Sequence, residues 1–334
     1  MSWRSVKRFL VGRPLETLHL EFERLSKATG LAVLSSDALS SAAYATEQML
    51  IVLMLAGTVG THADLKVATF ILLLLAIVVV SYRQTVHAYP GGGGAYFVAR
   101  ENLGTGFGLV AAAALLVDYV LTVTVSVAAG VDAITSAFPV TLPFRVTMGL
   151  IAIAIVALGN LRGVRESGAL FSVPTYFFIV MFALMLAVNL VHPFGQWPVT
   201  PPLVAQAGQT VTLWLLLKAF ASGCSALTGV EAVSNGVPAF RPPEARNAAT
   251  VMVWMGVILG TFFAGATYFA HHYGVVPVGD QTVISQLGHG AFGSSPAYYL
   301  LQISTTCILI LAANTSFADF PRLASILGHD AYMP

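Results

Sequence analysis

The chain has 334 residues and a formal net charge of +1, but only 9% of its residues are charged and 57% are hydrophobic, with a mean hydropathy of +0.80. A soluble domain carries about 25% charged residues, so this composition excludes a soluble enzyme or a nucleic-acid-binding protein and indicates a multi-pass membrane protein. The two cysteines, Cys224 and Cys307, both fall in apolar runs, where they are expected to be small core residues.

Hydrophobic segments long enough to cross a membrane follow an N-terminal stretch, residues 1–27, that we expect to be cytoplasmic. Backbone groups in lipid must be satisfied internally, so each segment is predicted to be a helix or to consist of helix pieces. The eight segments cover residues 28–56, 67–88, 107–137, 146–162, 168–191, 211–238, 249–271 and 296–320.

The distribution of basic residues predicts the orientation. With the N-terminus in the cytoplasm, 13 of the 16 Lys and Arg residues lie inside, and only Lys66 and Arg145 lie outside. Lys218 falls within the sixth segment, and we expect its long side chain to reach outward to the interface. The stretch 192–210 is then an extracellular loop.

Two segments differ from the others because Ser, Thr and Gly cluster at their centres together with a carboxylate. They are the first segment, around residues 35–41, and the sixth, around residues 219–236. Hydroxyl side chains compete for backbone hydrogen bonds and glycine adds freedom, so both helices are predicted to be broken. Broken helices five segments apart indicate two five-helix repeats of inverted topology, as in LeuT-like transporters.

Such a fold needs ten helices, and the sequence shows eight. We therefore expect an incomplete, C-terminally truncated version of this all-α membrane fold. In this interpretation residues 28–191 form the first repeat and residues 211–334 a partial second repeat.

Three acidic residues, Asp37, Asp118 and Glu231, lie near the middle of apolar segments. An ionisable group at that depth costs about 2.5–3.5 kcal/mol or more, so each one marks a functional site by default. Almost no basic residue is available at the same depth, which suggests that the missing positive charge is the cargo.

In the first segment Asp37, Ser40, Ser41 and Tyr44 follow helical spacing and would share one face. An interface between helices that uses small hydroxyls explains the serines equally well, but it does not explain Asp37.

Asp118, Thr122 and Ser126 follow the same spacing in the third segment, with Tyr119 beside them. These side chains supply oxygen, the ligand that hard alkali cations prefer; hydroxyls that bond back to their own helix are the alternative.

In the sixth segment Thr228 and Glu231 follow the predicted break at Gly223. A desolvated carboxyl holds its proton more tightly, so Glu231 is a candidate proton carrier, as are Asp118 and Asp37. A neutral, hydrogen-bonded core Glu231 is the alternative.

The run Gly91, Gly92, Gly93 and Gly94 lacks the Lys-Ser/Thr ending of a phosphate loop and is predicted to be a close-packing hinge, like Gly223. Asp132 and Asp319, nearer the ends of their segments, are interpreted as structural or gating residues. Glu47 is expected near the interface. The histidines show no transition-metal spacing, and no cofactor is indicated.

Two strings, Y-P-G-G-G-G-A-Y at residues 89–96 and G-V-E-A-V-S-N-G-V-P-A-F-R-P-P-E-A-R-N at residues 229–247, resemble the amino acid–polyamine–organocation (APC) transporter superfamily. Within it, S-S-D-A-L-S-S-A-A-Y at residues 35–44 and T-S-F-A-D-F-P-R-L-A-S-I-L at residues 315–327 are similar to KUP-type potassium importers, most of all to the bacterial KimA-type branch.

This resemblance implies potassium uptake coupled to protons by alternating access, in the bacterial cell membrane, with the lipid bilayer as surroundings and a homodimer as the assembly. The residues that would surround the potassium pathway are Asp37, Tyr44, Asp118, Tyr119, Thr122, Ser126, Thr228 and Glu231. An amino acid permease, above all one for cationic amino acids or polyamines, is the alternative on the same scaffold, and a non-transporting sensor is a third.

Overall fold

The computed structural model describes residues 24–92, 94–161, 168–191, 210–279 and 281–333. Within these residues the regular structure is helical, with two isolated β-bridges. The α-helices are α1 (Lys27–Leu34), α2 (Ser36–Ser40), α3 (Ala45–Leu53), α4 (Gly57–Thr61), α5 (Asp64–Ala88), α6 (Ala95–Leu103), α7 (Thr105–Ala137), α8 (Arg145–Leu161), α9 (Gly168–Val191), α10 (Leu213–Gly223), α11 (Ala232–Asn235), α12 (Glu244–Tyr273), α13 (Val283–Phe292) and α14 (Pro296–His329).

Seven spans in the described residues are long and apolar enough to cross a membrane, and the bent first segment makes an eighth. The predicted all-α membrane class with about eight spans is therefore confirmed. Residues 1–23 of the predicted N-terminal segment and residues 192–209 of the predicted extracellular loop lie outside the described residues.

The first segment is broken twice. Helix α1 ends at Leu34, with Ser35 as its C-cap, and a second interruption at Tyr44 (φ −128°, ψ −19°) bends the chain by 41° before α3. Residues 35–46 are buried all round, so the first segment does not present the single polar face that its helical spacing predicts.

The sixth segment is broken after Gly223. A 3₁₀ turn, Cys224–Leu227, follows α10; Thr228 is then extended, and Gly229 has a φ of +74° before the short helix α11. The conformation that requires glycine is thus at Gly229, while Gly223 has ordinary helical angles and packs against Ile71 and Met49.

The two breaks meet inside the bundle. The Ser41 hydroxyl donates to the carbonyl of Ala226 at 2.9 Å, which joins the 3₁₀ turn of the first segment to that of the sixth. At their other ends the same segments are held by Leu25, whose backbone bonds Ala239 (2.7 Å) and Arg241 (3.0 Å). Residue 25 therefore lies on the same side of the bundle as Arg241, as the predicted orientation requires.

The apolar core lies where α12 packs against α9 and the first segment. Phe182 and Phe262 stack there at 4.6 Å between ring centroids, and Phe178 adjoins both. By contrast, Phe70, Leu73 and Ile77 on α5 are 57–64% exposed and repeat at helical spacing, which gives this helix an apolar outer face suited to lipid. Lys218 is likewise exposed on α10.

Besides the five-residue helix α4, two short helices were not predicted. Helix α6 follows the glycine run, and Arg100 within it forms an ion pair with Asp330 beyond the end of α14. Helix α13 begins after Thr282, whose hydroxyl accepts a hydrogen bond from Ser285 N at 3.1 Å. Both helices are too short to stand out as membrane spans, although Thr282 is a recognisable N-cap signal.

Candidate functional site

Asp37 and Glu231 lie deep in the bundle, with only 4% and 8% of their surfaces exposed. Asp118 is half-buried at the edge of the inward face of α7. Each carboxylate interacts electrostatically with the other two. The three acids that the sequence singles out are therefore brought together, and two of them, Asp37 and Glu231, are enclosed by the bundle. Among the described residues, no Lys or Arg side chain is buried, so no basic residue in that part of the chain neutralises them from within.

Several oxygens around these carboxylates are buried without a hydrogen-bond partner. They are Asp37 Oδ1, Thr122 Oγ1, Ser126 Oγ and Ser225 Oγ. More than nine in ten buried polar groups in proteins are paired, so a group of unpaired oxygens at one place requires an explanation. A dehydrated cation bound at this point would satisfy them.

Tyr44 crosses from the first broken segment to the sixth. Its hydroxyl lies 3.3 Å from Thr228 Oγ1 and close to Ser126, although the Ser126 hydroxyl lacks hydrogen-bond geometry. Thr228 in turn donates to the Ser225 carbonyl at 3.0 Å. We call the region lined by these residues and the three carboxylates the central site.

Helix α7 forms one wall of the central site. Tyr119, Thr122 and Ser126 lie on its buried stripe, so the tyrosine, which the sequence places beside the stripe, is part of it. Tyr119 interacts electrostatically with Glu231. The spacing thus identifies the correct helix face, while Asp118 lies at its margin.

Asp37 packs directly against the break in the sixth segment. A methyl group on Gly229 would lie 2.6 Å from Asp37 Cγ and 2.7 Å from Oδ2, so only glycine leaves room for the carboxylate. The hydroxyls of Ser40 and Ser41 donate to backbone carbonyls, Ser40 to Asp37 O at 2.7 Å. These two serines therefore support the broken backbone and the contact between helices, as the alternative interpretation of their spacing expects.

Among the described residues, no three His, Cys, Asp or Glu side chains converge closely enough to hold one metal ion. Hydroxyl, phenol and backbone carbonyl oxygens would therefore have to complete any coordination shell. This composition suits a large monovalent cation better than a transition metal, which prefers nitrogen and sulfur ligands.

A cavity of about 240 Å³ approaches the central site from the predicted extracellular side, and Tyr44 forms part of its wall. Glu47, Asp132 and Arg145 line it and also line a wider outer cavity of about 410 Å³. Arg145 Nη2 lies 2.7 Å from both carboxylate oxygens of Asp132. The Oε2 atom of Glu47 accepts a hydrogen bond from Val283 N, at the start of α13, at 3.1 Å.

An inner cavity of about 220 Å³ approaches from the predicted cytoplasmic side. Its lining includes Tyr119, Asn235, Asp319 and Arg322 together with Gly91, Gly92 and Gly94. Gly92 (φ +88°) and Gly94 both lie against Asn235, so an added methyl group would collide with it, whereas Gly91 faces open space. In the predicted hinge, two of the glycines, Gly92 and Gly94, thus pack closely against another segment. Gly93 lies outside the described residues.

Asp319 is a fourth carboxylate near the central site that was not predicted to be a site residue from the sequence. This half-buried side chain interacts electrostatically with Asp37, Glu231 and Tyr119, and it lines the inner cavity. A carboxylate within an apolar segment could have identified Asp319 as a site residue. Because the eighth segment was predicted to end at residue 320, Asp319 was expected near the end of the span and not deep inside it. Helix α14 continues to His329, nine residues beyond the predicted end at residue 320.

The fold and the central site define the class: a helical multi-pass membrane protein in which two broken helices meet at a buried, acidic, oxygen-lined centre. The sequence model of the amino acid permease family matches residues 25–334, and the chain belongs to that family. It is also 47% identical over 335 residues to the potassium transporter KimA of Bacillus subtilis (strain 168). That alignment covers 99% of this chain and 55% of KimA, so the chain spans about half the length of this curated relative.

Proposed function

We propose that the chain forms the ion pathway of a proton-coupled potassium importer that works by alternating access. The observation that carries the proposal is the set of unpaired buried oxygens beside Asp37, Asp118 and Glu231. The similarity to a potassium transporter supports potassium as the cargo.

Electrostatics support a cationic cargo. Buried carboxylates without a buried basic partner are costly, and a cation that gives up its water would offset part of that cost. The cation in turn needs replacement oxygens, and Thr122, Ser126 and Ser225 have theirs unpaired.

Proton coupling would increase the driving force. A membrane potential of 100 mV contributes about 2.3 kcal/mol for each charge that moves inward, so one proton per potassium roughly doubles the drive. Glu231 is our first candidate for the proton carrier, because it is deeply buried and interacts with both Asp118 and Asp319. Asp118 and Asp37 are the other candidates.

The proposed setting is a bacterial cell membrane with the N-terminus in the cytoplasm, and the proposed assembly is a homodimer. The distribution of basic residues supports this orientation. The bonds of Leu25 to Ala239 and Arg241 place both basic stretches on the same side of the bundle, as this orientation requires.

The second candidate function is an amino acid permease, as the description of the family suggests, and above all one for cationic amino acids or polyamines. In this chain Asp37 lies against the backbone of Gly229, at the break of the sixth segment. A fixed negative charge at that point would repel a substrate carboxylate but would accept an amine. Neutral and acidic amino acids are therefore expected to be poor substrates under both candidate functions.

The test is growth at low potassium of a bacterium that lacks its own potassium uptake, combined with rubidium uptake. Asp118→Asn and Glu231→Gln should lose rescue while they keep wild-type abundance in the membrane. Glu244→Gln is the matched control, because this carboxylate is partly exposed and pairs with Arg24 on the surface. Full rescue by both Asp118→Asn and Glu231→Gln would overturn the site. Uptake of putrescine or arginine without rubidium flux would establish the second function instead.

A pH-sensitive dye inside proteoliposomes tests the coupling. Addition of external potassium should acidify the lumen of wild-type vesicles, and Glu231→Gln should abolish the acidification. Potassium flux without any pH change in the wild type would rule out the coupling while leaving the cargo intact.

A further inference from the structure

Asp319 lies between the central site and the inner cavity. It interacts electrostatically with Asp37 and Glu231 on one side, and on the other it lines the inner cavity with Tyr119 and Arg322. A cation that leaves the central site through this cavity would therefore pass its carboxylate.

The counter-charge of Asp319 is Arg322, one helical turn further along α14. Arg322 is exposed, whereas Asp319 is half-buried, so the attraction between the two is screened on the arginine side. Such a pair is weak enough to be exchanged, and a desolvated cation could replace the guanidinium as the partner of the carboxylate.

A second observation at the same place is independent of these charges. Ser316 precedes Asp319 by three residues and so shares its helix face; its Oγ is buried without a hydrogen-bond partner, and the residue is only 1% exposed. The helix therefore offers a carboxylate and an unpaired hydroxyl one turn apart on the same face.

We propose that Asp319 is a further cation-binding residue, which receives the potassium ion after it leaves the central site and before it enters the cytoplasm. The charge of Arg322 attracts the same carboxylate and would compete with the ion for it. This inference rests on the proposed function, because it assigns a second stopping point on the same pathway.

The first experiment measures rubidium uptake by cells that express Asp319→Asn, Asp319→Glu or the wild type. A carboxylate that acts after the central site controls turnover more than capture. Asp319→Asn should therefore lower the maximal rate by about ten-fold and leave the external KM nearly unchanged. Asp319→Glu, which restores the charge, should recover most of the rate. Glu101→Gln, on the exposed surface of α6, is the control carboxylate and should match the wild type.

The second experiment tests binding directly and does not depend on transport by the variant. In a background with Cys224→Ser and Cys307→Ser, Leu323→Cys, which lines the inner cavity one helical turn from Asp319 and leaves that carboxylate in place, is treated with a cationic thiol reagent from the cytoplasmic side. Potassium in the inner cavity should slow the labelling. Addition of Arg322→Gln should lower the half-protecting potassium concentration by several-fold, since a competing charge is removed.

The possible results separate the two proposals. A wild type that moves neither rubidium nor potassium defeats the proposed function. A transporting wild type, together with an Asp319→Asn variant of unchanged rate and labelling that ignores potassium, overturns the role of Asp319 alone. A loss of rate in Asp319→Asn that Asp319→Glu does not repair, with labelling insensitive to potassium, would show a structural role and also overturn it.

Discussion

Replacement of Gly229 by alanine tests whether the two broken helices must meet as the structure shows. The residue has a φ of +74°, a conformation that costs an L-residue with a side chain about 1–2 kcal/mol. The new methyl group would also lie 2.6–2.7 Å from three atoms of Asp37, and forced overpacking costs about 1–3 kcal/mol. Together the two effects amount to about 2–5 kcal/mol.

The strain falls on Asp37, a carboxylate of the central site, so we expect it to affect the ion-bound state. A cost of about 2–5 kcal/mol there corresponds to roughly 30- to 5,000-fold weaker ion binding. Rubidium uptake over a range of concentrations, normalised to the amount of protein in the membrane, measures this effect. A thermal melt of the purified protein shows how much of this free energy appears as a loss of stability of the folded protein and not as weaker ion binding.

Gly159→Ala is the matched control, because it lies inside α8 and no atom lies within 4 Å of the added methyl group. It should leave both uptake and melting temperature near the wild type. If Gly229→Ala behaves like Gly159→Ala, Asp37 does not pack against the break, and the geometry of the central site is refuted.

Three further predictions concern the periphery of the site. Glu47→Gln weakens the charge-assisted bond that holds the start of α13 and should destabilise the protein by about 1 kcal/mol in thermal melts; an unchanged melt contradicts the contact. Gly94→Ala should impair transport through its collision with Asn235, whereas Gly91→Ala should be tolerated; equal effects in uptake assays would refute a specific contact. Burial holds the pKa of His289 below its usual 6.5, opposed by a weaker bond to a backbone carbonyl, so the unfolded state takes up the proton first. Stability should therefore fall as the pH drops below 6.5, and His289→Gln should flatten the dependence of the melting temperature on pH over that range.

The membrane spans and the breaks could be predicted because their causes are local. The fifth segment was predicted at residues 168–191 and is observed as α9, Gly168–Val191, since apolar length and backbone bonding inside one segment decide such a span. The clusters of small and hydroxyl residues near Asp37 and Glu231 likewise predict the two breaks from neighbouring residues alone. A position near the middle of an apolar segment identified three of the four carboxylates that the structure brings together.

Tertiary structure decided the rest. Gly223 was the predicted hinge, and the break does follow it, but the positive φ lies at Gly229, where the carboxylate of Asp37, 192 residues away in the chain, also leaves no room for a side chain. Asp319 joined the site for a similar reason: helix α14 runs past its apolar stretch and packs beside the broken first segment. Composition and spacing report what a segment prefers by itself, whereas the position of a charge beside another charge depends on how helices distant in sequence pack and rotate against each other.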